Sequence, residues 1–340
     1  MEPDEVREGL IAFLAEKTGA TVSLQHLERL SGGASRETWT FDATFEGPGA
    51  PPPLAGIFRA DPFRGVPSSP GRRLEFSLIK AAWDRGVTVP EPLWDGDDRF
   101  GVSFFVMRRV EGETLGARIV RNDEYAEARK VLPEQLATSL ARIHNVLPAE
   151  APELAELPGP ADGVSPAHHE LDTWEANYRE VEANPHPTLE LALRWLRNNA
   201  PASGDRRLVH GDYRMGNFII GEDGLRGVID WELAHWGDPM EDLGWLCVRS
   251  WRFGGKEPVA GVGDRESFFR AYEEASGRKV DPEAVRFWEV FGNLRWGIIT
   301  VMQANGYLSG RTKSVELASI GRRTVETEWE LLNLMEGSAW

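Results

Sequence analysis

The sequence predicts an α+β fold of two lobes, an antiparallel sheet followed by a mostly helical body. Three observations point there. Before residue 110 the apolar residues fall in short strand-like runs broken by Gly- and Pro-rich turns. From residue 123 onward they mostly recur at helical spacing. Between helices, residues 208–232 (LVHGDYRMGNFIIGEDGLRGVIDWE) read as three short strands joined by a loop and a tight turn. The expected division is 1–110 for the sheet lobe and 111–340 for the helical lobe.

A chain of 340 residues can bury a large core, and 41% hydrophobic with 27% charged residues is ordinary for a soluble globular enzyme. No run of ~18 apolar residues offers a membrane span. The acidic start, Met1-Glu2-Pro3-Asp4-Glu5, lacks the basic-then-apolar order of a signal peptide. The single cysteine, Cys247, excludes an intramolecular disulfide and fits a reducing cytoplasm; in the apolar run 243–248 it reads as a buried thiol. A net charge of -16 argues against nucleic-acid binding, and it permits a cationic substrate without requiring one. The expectation is a cytoplasmic protein, monomer or homodimer, with no membrane or nucleic-acid partner.

Residues 3–17 read as a helix packed outside the first lobe, with Pro3 in its first turn, Val6, Leu10, Ile11 and Leu14 at helical spacing and Gly19 beyond its end. Residues 22–30 and 37–45 read as strands around Ser31-Gly32-Gly33-Ala34-Ser35-Arg36. Small side chains there would let backbone N–H groups approach a phosphate, although a plain hairpin turn has the same composition. Residues 54–60 (LAGIFRA) are the next strand, carrying Arg59. Residues 72–85 form a helix with an apolar face of Leu74, Leu78, Ile79, Ala82 and Trp83, and with Glu75 able to pair with Arg59. The alternative reading of each is a solvated surface charge. Residues 87–93 are extended, because their two prolines forbid helix. Residues 104–109 form an apolar strand leading to Val110-Glu111-Gly112.

Residues 123–146 read as two helical stretches split near Pro133, with His144 a structural residue of the second. The proline-rich segment 147–165 is a long loop. His168-His169-Glu170 lacks metal-site spacing, since neighbours on a helix diverge. Further helices are expected over 171–181, 189–198, from Asp238-Pro239 through Val248, and over 265–276, 282–305 and 314–337. Ten of the 13 tryptophans lie from Trp174 onward, which suits either a helical core, with room for a dimer interface, or an aromatic-lined substrate pocket.

In residues 208–232, His210-Gly211-Asp212, Asn217 and Asp230 place two carboxylates and a carboxamide at the ends of adjacent strands. Phosphoryl transfer needs such a group, with one acceptor for a hydroxyl proton and oxygen ligands for magnesium. With Ile229-Asp230-Trp231-Glu232, Gly237-Asp238-Pro239 and Asp242-Leu243, the set resembles the aminoglycoside phosphotransferase-like family, which includes choline kinases. HGDYRMGN followed by IDWEL is most similar to its acyl-CoA-dehydrogenase-associated branch. The resemblance covers roughly residues 31–250.

It implies the protein-kinase-like fold, with Asp212 as catalytic base, Asn217 and Asp230 as Mg2+ ligands and Asp242 as a buried acid steadying the loop. It further implies that ATP or GTP binds between the lobes: Ser31, Gly32, Gly33 and Ser35 over the phosphates, Arg59 paired with Glu75 in place of the usual lysine, and Met107, Arg108 and Val110 around the base. The implied function is a kinase for a small-molecule hydroxyl acceptor, either an aminoglycoside or a hydroxy acid or hydroxyacyl-CoA. The arginine at position 59 leaves open a catalytically weak nucleotide-binding regulatory protein. A metal-dependent hydrolase is disfavoured, since the 7 histidines are mostly isolated.

Overall fold

The structure is a computed structural model describing residues 1–30, 37–61, 71–181, 185–202, 205–311 and 313–337. The proposed phosphate-loop residues Ser31, Gly32, Gly33 and Ser35 lie outside these described residues. Strands β1 (Thr21–Arg29), β2 (Glu37–Glu46), β3 (Leu54–Ala60), β4 (Pro92–Asp95) and β5 (Phe104–Arg108) form one antiparallel sheet in the order β1-β2-β3-β5-β4.

Side-chain alternation along the strands assigns the two faces of this sheet. Phe58, Phe104 and Val106 point to one face, where Val6, Leu10, Phe13 and Leu14 of α1 (Pro3–Thr18) cover them. Each of these four is fully buried, stabilising the lid by roughly 1.5–3 kcal/mol apiece. Ile57, Phe105 and Met107 point the other way, toward α2 (Arg72–Asp84), and join a core that runs on into the helical body. The inner face of the sheet and the helices below it therefore share one hydrophobic core.

That body comprises α3 (Gly116–Arg121), α4 (Ala126–His144), α5 (Pro166–Val181), α6 (Pro187–Asn198), α7 (Met240–Cys247), α8 (Arg265–Ser276), α9 (Pro282–Leu308), α10 (Val315–Ile320) and α11 (Thr324–Glu336). Two expectations are corrected here. Pro133 does not split the first helix; α4 is continuous through it after a short 3-10 turn at Asp123–Tyr125. The proline removes one N–H at a cost of about 3 kcal/mol. Ala128, Leu132, Leu136 and Leu140 are fully buried on both sides of it, and their burial outweighs that loss. Residues 314–337 are not one helix. A 3-10 turn at Gly321–Arg323 separates α10 from α11, where Gly321 lies so close to α9 that a Cβ would stand 2.5 Å from Ala304 Cβ.

Between α6 and α7 lie β6 (Arg207–Val209), β7 (Phe218–Gly221), β8 (Gly224–Val228) and β9 (His235–Gly237), paired as β6-β9 and β7-β8. Among the described residues no helix is long and apolar enough to cross a membrane.

Candidate active site

The turn after β6 is fixed from below by Asp242 on α7. Its two carboxylate oxygens accept the backbone N–H groups of His210 (2.8 Å) and Gly211 (3.0 Å), and His144 Nε2 lies 3.1 Å away. Burial alone would raise the Asp242 carboxyl, but His144 and the loop N–H groups hold it below the ordinary range. Gly211 has φ 75°, and a Cβ there would meet Leu233 O at 2.2 Å, so glycine is needed. His210 Nδ1 accepts from the Asp212 backbone N–H (3.2 Å), which leaves Nε2–H to donate to Ile229 O (3.2 Å). Burial pushes this imidazole down, in keeping with that neutral tautomer.

The loop so held presents Asp212, buried, with Asn217 Nδ2 donating to its Oδ2 (2.5 Å) and to its carbonyl (3.0 Å). The Asn217 carbonyl in turn accepts from Ile229 N (3.0 Å), which brings the residue before Asp230 alongside. Asp230 has φ 68°, a left-handed conformation that costs a non-glycine residue about 1–2 kcal/mol and that clusters at functional sites. With the Asn217 amide nitrogen turned to Asp212, its amide oxygen is left for another partner. An amide oxygen and a carboxylate suit a hard divalent cation such as Mg2+. The structure thus brings together Asp212, Asn217 and the strand end carrying Asp230.

Above this loop, under the sheet, is a cavity of about 640 Å3. Arg59, Met107, Arg108 and Val110 line it, with Ile219 of β7 and Ile229, the residue that follows β8. Glu75 does not line it but pairs with Arg59 at 3.1 Å and also contacts Arg72. Burial lowers the Arg59 guanidinium from its ordinary range, and the Asp230 carboxylate opposes the shift. Among the described residues the buried Arg59 Nε has no hydrogen-bond partner, as suits a group facing a bound anion. The Arg108 side chain is exposed and paired with Glu91 at 2.7 Å.

Several residues at the site were not singled out from sequence. Trp245 Nε1 and Arg214 Nε each reach Asp212 Oδ1 at 2.9 Å, and Arg295 donates to Gly211 O at 2.5 Å. The short spacing of Arg214 from Asp212 was the only signal available; the other two contacts span 33 and 84 residues. The tryptophan question resolves toward core for Trp231, Trp245, Trp251 and Trp288, which are all buried, although Trp245 and Trp251 sit against Asp212 and Arg214. Cys247 is buried as expected, its thiol pushed up to about 12, first by burial and then by Glu289.

Glu170 belongs not with its neighbours His168 and His169 but with His235 and Glu241, a buried group with ligand atoms within 4.8 Å of one another. Burial alone would lower His235, yet Glu241 and Glu170 push it up to about 10. His235 Nε2 lies 3.1 Å from Glu241 and 3.8 Å from Glu170, and Arg295 lies 3.2 Å from Glu241, whose carboxyl burial raises against the pull of His235. A raised folded pKa stabilises fully below the unfolded value of about 6.5, and that stability is lost as pH rises toward 10. The wild type should therefore lose more unfolding free energy between pH 6 and 10 than His235→Gln, by on the order of a few kcal/mol. Parallel urea-unfolding series that decline together would refute this.

Sheet lobe, helical body and the 208–232 loop together define a protein-kinase-like phosphotransferase scaffold. Residues 26–288 match the phosphotransferase enzyme family, and the chain belongs to that family. It is 28% identical over 187 residues to acyl-CoA dehydrogenase family member 10 of Mus musculus, a match taking in 54% of this chain and 17% of that one. The chain thus spans less than a fifth of that relative. A structure provisionally described as an aminoglycoside phosphotransferase, from Ralstonia eutropha, aligns with TM-score 0.77 at 22% identity over 97% of this chain and 98% of its own. The GDP complex of an aminoglycoside 2'-phosphotransferase-IIIa variant aligns with TM-score 0.63 at 17% identity, over 97% and 99%. At these identities the structural likeness is one of fold.

Proposed function

We propose that this phosphotransferase is a small-molecule kinase moving the γ-phosphoryl group of ATP or GTP to a substrate hydroxyl. What carries the reading is the junction of Asp212, Asn217 and the backbone leading into Asp230, beside a cavity that Arg59, paired with Glu75 behind it, helps to line. The base lies near Met107 and the backbone of Arg108 and Val110, and Arg59 grips phosphate oxygens. Asn217 and Asp230 would hold Mg2+, which would supply neutralisation of the charge on the phosphates. Asp212 orients the acceptor hydroxyl and takes its proton as the oxygen–phosphorus bond forms. Most of the rate enhancement is positioning and charge stabilisation in a partly desolvated site. The 27-residue α9, with α5, α6 and α11 packed around it, would form the acceptor side.

Two acceptor classes fit the reading, an amino sugar or a hydroxy acid and its CoA ester. The test is magnesium-dependent ADP or GDP release across aminoglycosides, choline, homoserine, macrolides and short hydroxy acids with their CoA esters. Release stimulated by one class, and absent without magnesium, is the expected result. Nucleotide binding with no stimulation by any acceptor would favour a regulatory protein instead.

A further inference from the structure

Asp212 is more constrained than a base needs to be. Its Oδ1 accepts two hydrogen bonds at 2.9 Å, one from the indole N–H of Trp245 and one from Arg214 Nε. Its Oδ2 accepts one, from Asn217 Nδ2. A carboxylate oxygen has two lone pairs. Oδ1 is therefore saturated, and one lone pair remains, on Oδ2. The donors on Oδ1 are themselves held by aromatic packing: Arg214 lies over Trp251 at 4.6 Å, and Trp251 packs on Trp245 with centroids 5.1 Å apart. On its other side Trp245 stacks with Arg295 at 4.5 Å, and Arg295 lies 5.1 Å from the Trp174 ring while donating to Gly211 O.

We infer that Trp245 is a positioning residue for the base. Resting on the kinase reading, the inference is that its N–H, acting with Arg214, fixes the rotation of the Asp212 carboxylate so that Oδ2 alone faces the acceptor hydroxyl. That oxygen takes the hydroxyl proton while the acceptor oxygen bonds to the γ-phosphorus. The bond from phosphorus to the bridging oxygen breaks, and the nucleoside diphosphate leaves with its electron pair. Without the indole donor the carboxylate can turn, and Oδ2 loses its fixed aim.

The discriminating experiment replaces Trp245 with β-(3-benzothienyl)alanine, which keeps the bicyclic shape and the stacking but has no N–H; Trp245→Phe serves as a second variant. In steady-state assays with the best acceptor, kcat should fall by about 10- to 100-fold, the scale of a catalytic group that has lost its alignment. Acceptor KM, nucleotide Kd and melting temperature should hold. A purely structural tryptophan would instead lower melting temperature in step with activity, and that outcome overturns the inference. An isostere as active as the wild type overturns it too while leaving the kinase reading intact. A wild type that turns over no acceptor removes the reading, and the inference with it.

Discussion

Replacing Asp212 with alanine is expected to lower turnover by about 10²-fold or more, the usual scale for a positioned acid–base group, while nucleotide still binds. The expectation follows from where the side chain points. Its carboxylate is engaged by Asn217, Arg214 and Trp245, and Asp212 is not among the residues lining the 640 Å3 cavity under the sheet. Loss of the carboxylate should therefore appear in kcat and leave nucleotide affinity largely intact. Calorimetric nucleotide binding beside acceptor-stimulated ADP release separates the two quantities. A variant with full turnover would refute the assignment of Asp212 as base. Asp212→Asn keeps the shape and the Trp245 contact, so equal loss in that variant would place the effect on the charge.

Asp242→Ala should act on stability as strongly as Asp212→Ala acts on rate. The substitution strands the N–H groups of His210 and Gly211 in a buried turn and removes the partner of His144, whose other ring nitrogen lies 2.8 Å from the Tyr272 hydroxyl. Removing one member of such a buried charged network costs roughly 3–5 kcal/mol. Asp242→Asn retains one acceptor oxygen for two backbone donors, and an intermediate loss is expected. Denaturant unfolding of the three proteins orders them, and an alanine variant as stable as the wild type would rule out this role for Asp242.

The sheet-then-helix order, and the identity of the 208–232 loop, could be read from the chain because their determinants are local. Short apolar runs bounded by turn-rich segments mark Leu54–Ala60 and Phe104–Arg108 as strands, and Asp212, Asn217 and Asp230 fall within one short segment whose turns carry their own glycines. What escaped was non-local. Trp245 looks like any apolar helix residue until folding sets its indole against a carboxylate 33 residues away. The three-residue β9 carries no periodic signal, and it forms because β6 lies beside it. Pro133 and Gly321 depart from expectation in opposite directions: at Pro133 the burial of Leu132 and Leu136 carries the helix through a residue that disfavours it, whereas at Gly321 the weak helix preference of glycine and its close approach to Ala304 interrupt the helix. Glu170 seemed idle in a run with two histidines because its partners, His235 and Glu241, lie more than sixty residues on.

The left-handed backbone at Asp230 also bears on how this protein can evolve. Glycine, asparagine and aspartate are the residues that enter that conformation most readily, and of the three only aspartate carries a charge. Mutational drift through position 230 is therefore channelled: asparagine and glycine meet least resistance there, retaining the fold while surrendering the carboxylate. Glutamate, equally charged, is the less accessible replacement because it must bear the backbone penalty as well as a longer reach.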